Sequence, residues 1–162
     1  MMAFKPSLTL TNLIPMPHIA EVTLAYKSPV SVESLPSITS PDEAAAYLRS
    51  IWDDDLLELK EQFVVILLDN AKKVLGWNLV SSGGSTSTIV DIAAIFQVGL
   101  LGNAQSVILA HNHPSRYSKA SSADIQLTKR AVEAGRLLGI PIDDHVILYR
   151  SGFTSFRNQG LL

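Results

Sequence analysis

The sequence predicts an α/β domain with a mixed sheet flanked by helices, on three observations. Apolar runs of strand length, "EQFVVILLDN" (61–70) and "SVILA" (106–110), alternate with stretches of helical periodicity. Only "AKK" (71–73) separates the first run from "VLGWNLVSS" (74–82), so those two segments read as antiparallel neighbours. The alternation of strands with helices also implies parallel pairs, and both kinds together make a mixed sheet.

Residues 1–39 read as an N-terminal extension, with prolines at 6, 15, 17, 30 and 36. Within it "AEVTLAYK" (20–27) alternates like a strand that could add to a sheet edge. The main domain is expected over 40–162. "SPDEAAAYLRSIW" opens it as a helix, with Ser40 as N-cap, Pro41 at the first helical position and Glu43 completing a capping box. The 61–70 run is nearly continuous in apolar and β-branched residues, as a strand buried on both faces requires. After the "GGSTST" loop, 88–103 places Ile89, Ile92, Ala93, Phe96, Gly99 and Leu100 on one helical face, and Gly102-Asn103 ends the helix. A long helix is expected from Ser121 to Gly139, with Leu127, Ala131, Ala134 and Leu138 on its inner stripe. "HVILYR" (145–150), a hairpin at Ser151-Gly152 and "FTSF" close the chain.

Composition narrows the function classes. With 47% hydrophobic and 17% charged residues, the 162-residue chain reads as globular and large enough for a core without a covalent staple. It has no cysteine, which excludes disulfides, thiolate metal sites and a cysteine nucleophile. The first twenty residues have neither the unbroken apolar stretch of a signal peptide nor any run approaching a membrane span, so a cytoplasmic location is expected. Thirteen basic against 15 acidic residues leave a net charge of -2, so there is no electrostatic signal for nucleic acid. "AKK" and "TKR" (128–130) read as a solvated turn and a solvated helix face.

The chemistry sits where the "SVILA" strand ends. His111 and His113 flank Asn112, and in extended chain residues i and i+2 point to the same side. Asp124 falls in the first turn of the next helix, on the side of Leu127 and Ala131, facing inward. An inward carboxylate is costly unless it is paired or bound to a cation. Two imidazoles and one carboxylate suit zinc, with the fourth position left for water. Taken singly, each residue has an ordinary role: a histidine at a strand end is usually a hydrogen-bonded surface group, and Asp in a first helical turn complements the helix dipole. Taken together, H-x-H followed by S-x-x-D at this spacing arises by chance on the order of once in a few thousand such chains, so a metal site is the better reading.

The string His111-Asn112-His113-Pro114-Ser115, then Ser121 and Asp124, resembles the JAMM (MPN+) metallo-isopeptidase motif. It is most similar to the version found in the bacterial RadC-like family. "EQFVVILLD" before it, "ADIQLTKRAVEAGRLLGIPIDDHVIL" after it and the closing "GFTSFRNQG" agree, so the resemblance spans roughly 40–162. Arg116 stands where that family usually has glycine.

The resemblance implies a cytidine-deaminase-like JAB/MPN fold carrying one zinc per chain, held by His111, His113 and Asp124. It implies a glutamate on an earlier strand that takes a proton from the zinc water. Glu61, opening the buried strand, matches by position, and Glu58 is its rival. Ser121 would orient the substrate carbonyl or steady the oxyanion, a role compatible with capping the helix. His145, after Asp143-Asp144, is expected to support the site rather than ligate, and His18 is expected to be solvent-exposed. The implied activity is hydrolysis of peptide or isopeptide bonds in a peptide or protein substrate. A non-catalytic interaction module, or the DNA-repair factor that the RadC name suggests, are the alternatives. A zinc nucleobase deaminase would need cysteine ligands, which this chain lacks.

Overall fold

The computed structural model describes residues 34–84 and 89–162. The strand expected over 20–27 and His18 lie outside them. The elements, in chain order, are α1 (Pro41–Ile51), β1 (Gln62–Leu68), β2 (Val74–Ser82), α2 (Ile92–Leu101), β3 (Ser106–Asn112), α3 (Ser122–Leu138), β4 (Ile142–Tyr149) and β5 (Gly152–Ser155).

The five strands form one mixed sheet in the order β2-β1-β3-β4-β5. Only β3 and β4 pair in parallel, joined by the α3 crossover, and the other neighbours are antiparallel. Each face is covered. α1 lays Ala44, Ala45 and Leu48 on the side that carries Val64, Ile66, Ile108, Ala110 and Val146. Helices α2 and α3 cover the other side, where Ile95, Phe96 and Ala131 meet Phe63, Val65, Leu67, Val107 and Leu109. All seven residues of β1 and of β3 are therefore buried, which is why both read as unbroken apolar runs.

Start and stop signals behaved unevenly. Ser40 caps α1 with the full capping box, its Oγ accepting from Glu43 N and Glu43 accepting from Ser40 N. Helix α2, however, begins at Ile92 and not at 88, because Asp91 takes the N-cap and accepts from Ala93 N at 2.9 Å. Ile89 stands outside the helix at 93% exposure, and Leu100 points away from the core. Gly102 is the C-cap of α2, but Asn103 supplies the left-handed residue, at φ 54°. In α3 Ala131 is buried and Leu127 and Ala134 pack partly buried beside it, as expected, while the innermost line runs through Thr128, Ala131 and Gly135. Thr128 takes a buried place, and Leu138 is exposed.

Two strands are longer than their apolar cores suggest. β3 continues through His111 and Asn112 because both its flanks stay paired, His111 lying opposite Phe63 on β1 and Ile147 on β4. β4 likewise begins at Ile142, so Asp143, Asp144 and His145 belong to it. Among the described residues no helix is long and apolar enough to cross a membrane.

Candidate metal centre

The strand β3 delivers His111 and Asn112 to opposite faces of the sheet. His111, 1% exposed, lies on the α3 side. Asn112 lies on the α1 side and is fully buried. There its Nδ2 donates to the carbonyls of Leu57 and Lys60, and its Oδ1 accepts from Gln62 N at 2.8 Å. Asn112 thus ties the segment before β1 to the end of β3. His113 leaves the strand with its backbone N still bonded to Leu148 O, and it is half-buried.

Asp124 arrives from the first turn of α3, and a capping box aims it. Ser121 Oγ accepts from Asp124 N at 3.1 Å, and Ser121 N donates to Asp124 Oδ2 at 2.7 Å. The carboxylate then faces both histidines: His111 Nε2 is 3.4 Å from Oδ1, and His113 Nε2 is 3.5 Å from Oδ2. The two Nε2 atoms are 3.0 Å apart. Taking one ligand atom from each residue, all three lie within 4.8 Å of one another, near the spacing of about 3.3 Å that a tetrahedral zinc with bonds of about 2.0–2.1 Å imposes. Among the described residues, His111, His113 and Asp124 are the group that could hold a metal.

The hydrogen bonds behind the ligand atoms fix which nitrogens are free. His113 Nδ1 lies 2.7 Å from Tyr117 O, a carbonyl that can only accept, so Nδ1 carries the proton and Nε2 is bare. His111 Nδ1 contacts His145 Nε2 at 2.8 Å, and His145 Nδ1 contacts Thr128 Oγ1 at 2.6 Å. The Thr128 hydroxyl donates to the Asp124 carbonyl, also at 2.6 Å, so its oxygen accepts from His145 Nδ1–H. His145 Nε2 must then accept from His111 Nδ1–H, which leaves His111 Nε2 bare as well. Two bare nitrogens 3.0 Å apart repel each other unless a cation or proton lies between them. The donor set fits a metal ion.

Ionisation follows the same logic. Burial raises the Asp124 carboxyl, but the His111 and His113 rings that face it and the Ser121 hydroxyl together hold it well below the usual carboxylate range. Burial opposes charge on His113, yet Asp124, the Tyr117 carbonyl and the nearby Glu61 carboxylate raise its pKa. Burial, reinforced by His111, pushes His145 well below the ordinary histidine value and keeps it neutral. Phe63 stacks on His111, and Phe156 stacks on His145 with ring centroids 4.6 Å apart. These rings seal the inner side.

Glu61 and Glu58 occupy different surroundings. Glu61 directly precedes β1 and extends its pairing, donating from N to Gly84 O and accepting from Gly83 N, each at 2.9 Å. In the β1–β3 register Phe63 faces His111, so two residues further out Glu61 comes opposite His113. Glu58 instead makes an ion pair with Arg116. Arg116 has a left-handed backbone, φ 62°, which costs an L-residue about 1–2 kcal/mol and glycine nothing. Its exposed ion pair returns at most about 1 kcal/mol.

Thr128 and Asn112 carry parts of this site that the sequence did not mark. Thr128 could have been found from Asp124, because i+4 on a helix returns to the same face. Asn112 gives no comparable signal, since its partners are backbone groups fifty or more residues away.

The profile of the RadC-like JAB domain family matches residues 38–161. The chain is similar to the UPF0758 protein of Symbiobacterium thermophilum, 43% identical over 102 residues, which is 63% of this chain and 44% of that protein. It is also similar to UPF0758 proteins of Thermosynechococcus vestitus (39% over 120 residues, 74% and 47%) and Geotalea uraniireducens (35% over 130 residues, 80% and 56%). The chain spans about half the length of these relatives.

Proposed function

The chain belongs to the RadC-like JAB domain family, and on that premise we propose that it is a zinc-dependent hydrolase of JAMM type that cleaves peptide or isopeptide bonds. The observation that carries the reading is the convergence of two bare imidazole nitrogens and an ionised carboxylate, with separations of 3.0, 3.4 and 3.5 Å. Zinc held by His111, His113 and Asp124 would supply a water whose pKa is lowered to about 7 and would polarise a carbonyl.

The remaining work falls to this chain's own side chains. Glu61 takes up a proton on its carboxylate and passes it to the leaving amine. Its influence on His113 and its place in the β1–β3 register support this role, while the Arg116 ion pair engages its rival Glu58. Ser121 uses its oxygen as an acceptor for the helix cap, so its hydroxyl proton remains to donate to a substrate carbonyl. His145 and Thr128 hold His111 in the tautomer that can ligate. A peptide could reach the site by adding to the outer edge of β2, whose Ser82 pairs with Gln62 beside Glu61.

Glu61→Gln separates this reading from a non-catalytic binding module. Zinc-loaded protein is incubated with a complex peptide mixture, and new N-termini are counted by mass spectrometry. The variant is expected to keep its zinc and to cleave about 10²–10⁴-fold more slowly than the unaltered protein. Zinc-independent cleavage, or cleavage unchanged in Glu61→Gln, contradicts the assignment. Zinc-loaded protein that generates no new termini favours the binding module.

A further inference from the structure

The ion pair between Arg116 and Glu58 joins two segments that each lead into the candidate metal site. Arg116 lies three residues beyond His113, and Glu58 lies three residues before Glu61. The pair therefore closes, one step further out, the same gap that Glu61 and His113 face from either side. Fold stability does not account for it, because a left-handed arginine costs the backbone at least what an exposed ion pair returns.

We propose that the Arg116–Glu58 pair is a strap that holds the loop after His113 over the ligands and slows the loss of the metal. The proposal rests on the metal site described above. The loop has few other ties: Arg116 N donates to His113 O at 3.1 Å, and Thr154 Oγ1 donates to Ser118 O at 2.6 Å. Between those ties lies Tyr117, whose carbonyl receives the Nδ1 proton of His113. Arg116 immediately precedes Tyr117 in the chain, so when Arg116 lets go of Glu58 the segment that carries this carbonyl is free to shift away from His113 Nδ1. His113 then loses the acceptor that keeps Nε2 bare and aimed at the metal. Arg116 acts as a positioning residue through Tyr117, and arginine suits the task because its planar fork holds a carboxylate in one geometry. The side chains of Arg116 and Glu58 are 71% and 32% exposed, so dissolved salt weakens the strap.

Zinc release into an excess of chromogenic chelator tests this without any substrate. Arg116→Ala and Glu58→Gln are each expected to release zinc about three- to fivefold faster than the unaltered protein. The double variant should be no faster than either single one, and the exchange Glu58→Arg with Arg116→Glu should recover part of the slow rate. In roughly 1 M salt the unaltered protein should approach the rate of the variants, which themselves respond little. Release rates unchanged in the single variants, or effects that add in the double one, overturn the strap and leave the metal site standing. Unaltered protein that takes up no zinc overturns both.

Discussion

The Thr128 hydroxyl sits 2.6 Å from both the Asp124 carbonyl and His145 Nδ1, and through His145 it selects the tautomer of His111. Thr128→Val keeps the shape and removes the hydroxyl, so His145 no longer has a reason to carry its proton on Nδ1. Zinc affinity is then expected to fall about 10–100-fold, as read by competition with a chelator of known affinity. An unchanged affinity would mean that the relay does not set the tautomer. The buried His145 also gives the metal-free protein a pH signature. Its pKa is depressed in the folded state, so its contribution is present above the unfolded value of about 6.5 and is lost as pH falls below it. His113, whose folded value is raised, acts above that point: its contribution is full below about 6.5 and is lost as pH rises through the folded value. Asp124 is ionised in folded and unfolded chain alike until roughly pH 4. Between about pH 6.5 and 4, His145 therefore governs this site, and stability should drop by up to about 1.4 kcal/mol per pH unit. Chemical denaturation in the presence of a chelator at pH 7, 6 and 5 reads this directly, and stability that rises on acidification would contradict it. At this scale the sequence was legible where chemistry repeats a local spacing, as in His111, His113 and Asp124. It was silent where a role depends on a partner distant in the chain. Thr128 is an ordinary helical residue until β4 brings His145 against it.

Helix α3 carries Asp124 at one end and is held close to its neighbours at the other by Gly135. A Cβ there would lie 2.5 Å from Ile140 O and 3.3 Å from the Phe96 ring. The first contact is backbone and cannot step aside cheaply, so Gly135→Ala must displace the end of α3 from the Ile140 segment that follows it and from Phe96 on α2. In an open helix the same change would stabilise by up to about 1 kcal/mol. Here it is expected to destabilise by about 1–3 kcal/mol in thermal or denaturant unfolding, and a neutral or stabilising effect would remove close packing as the reason for this glycine. At its far end α3 stops at Gly139, whose φ of 71° suits a residue without a side chain. Boundaries of this kind were readable when the capping residue was itself the signal, as with Ser40, Ser121 and Gly139. The start of α2 was misread because Ile89 continues the apolar spacing, while Asp91 satisfies the first turn and ends the helix there. The length of β3 escaped for a different reason. Its last two residues are polar, and they belong to the strand through pairing on both sides, which periodicity along one strand does not register.

As a whole molecule the chain builds one sheet so that β1, β3 and β4 carry residues to a common end, where α3 closes over them. The mixed topology was legible from a short β1–β2 turn set against a helical crossover between β3 and β4. The chain carries 13 basic and 15 acidic residues, a formal net charge of -2. The hydrolysis of an amide linkage proposed above would need no basic surface. The account as a whole depends on one physical claim, that His111, His113 and Asp124 are built to hold a cation. Elemental analysis of protein purified without added metal or chelator tests it most directly. About one zinc per chain is expected, falling to background in the His111→Ala, His113→Ala double variant with the fold retained by circular dichroism. Zinc undiminished in that double variant, or absent from the unaltered protein even after exposure to the ion, would contradict the claim.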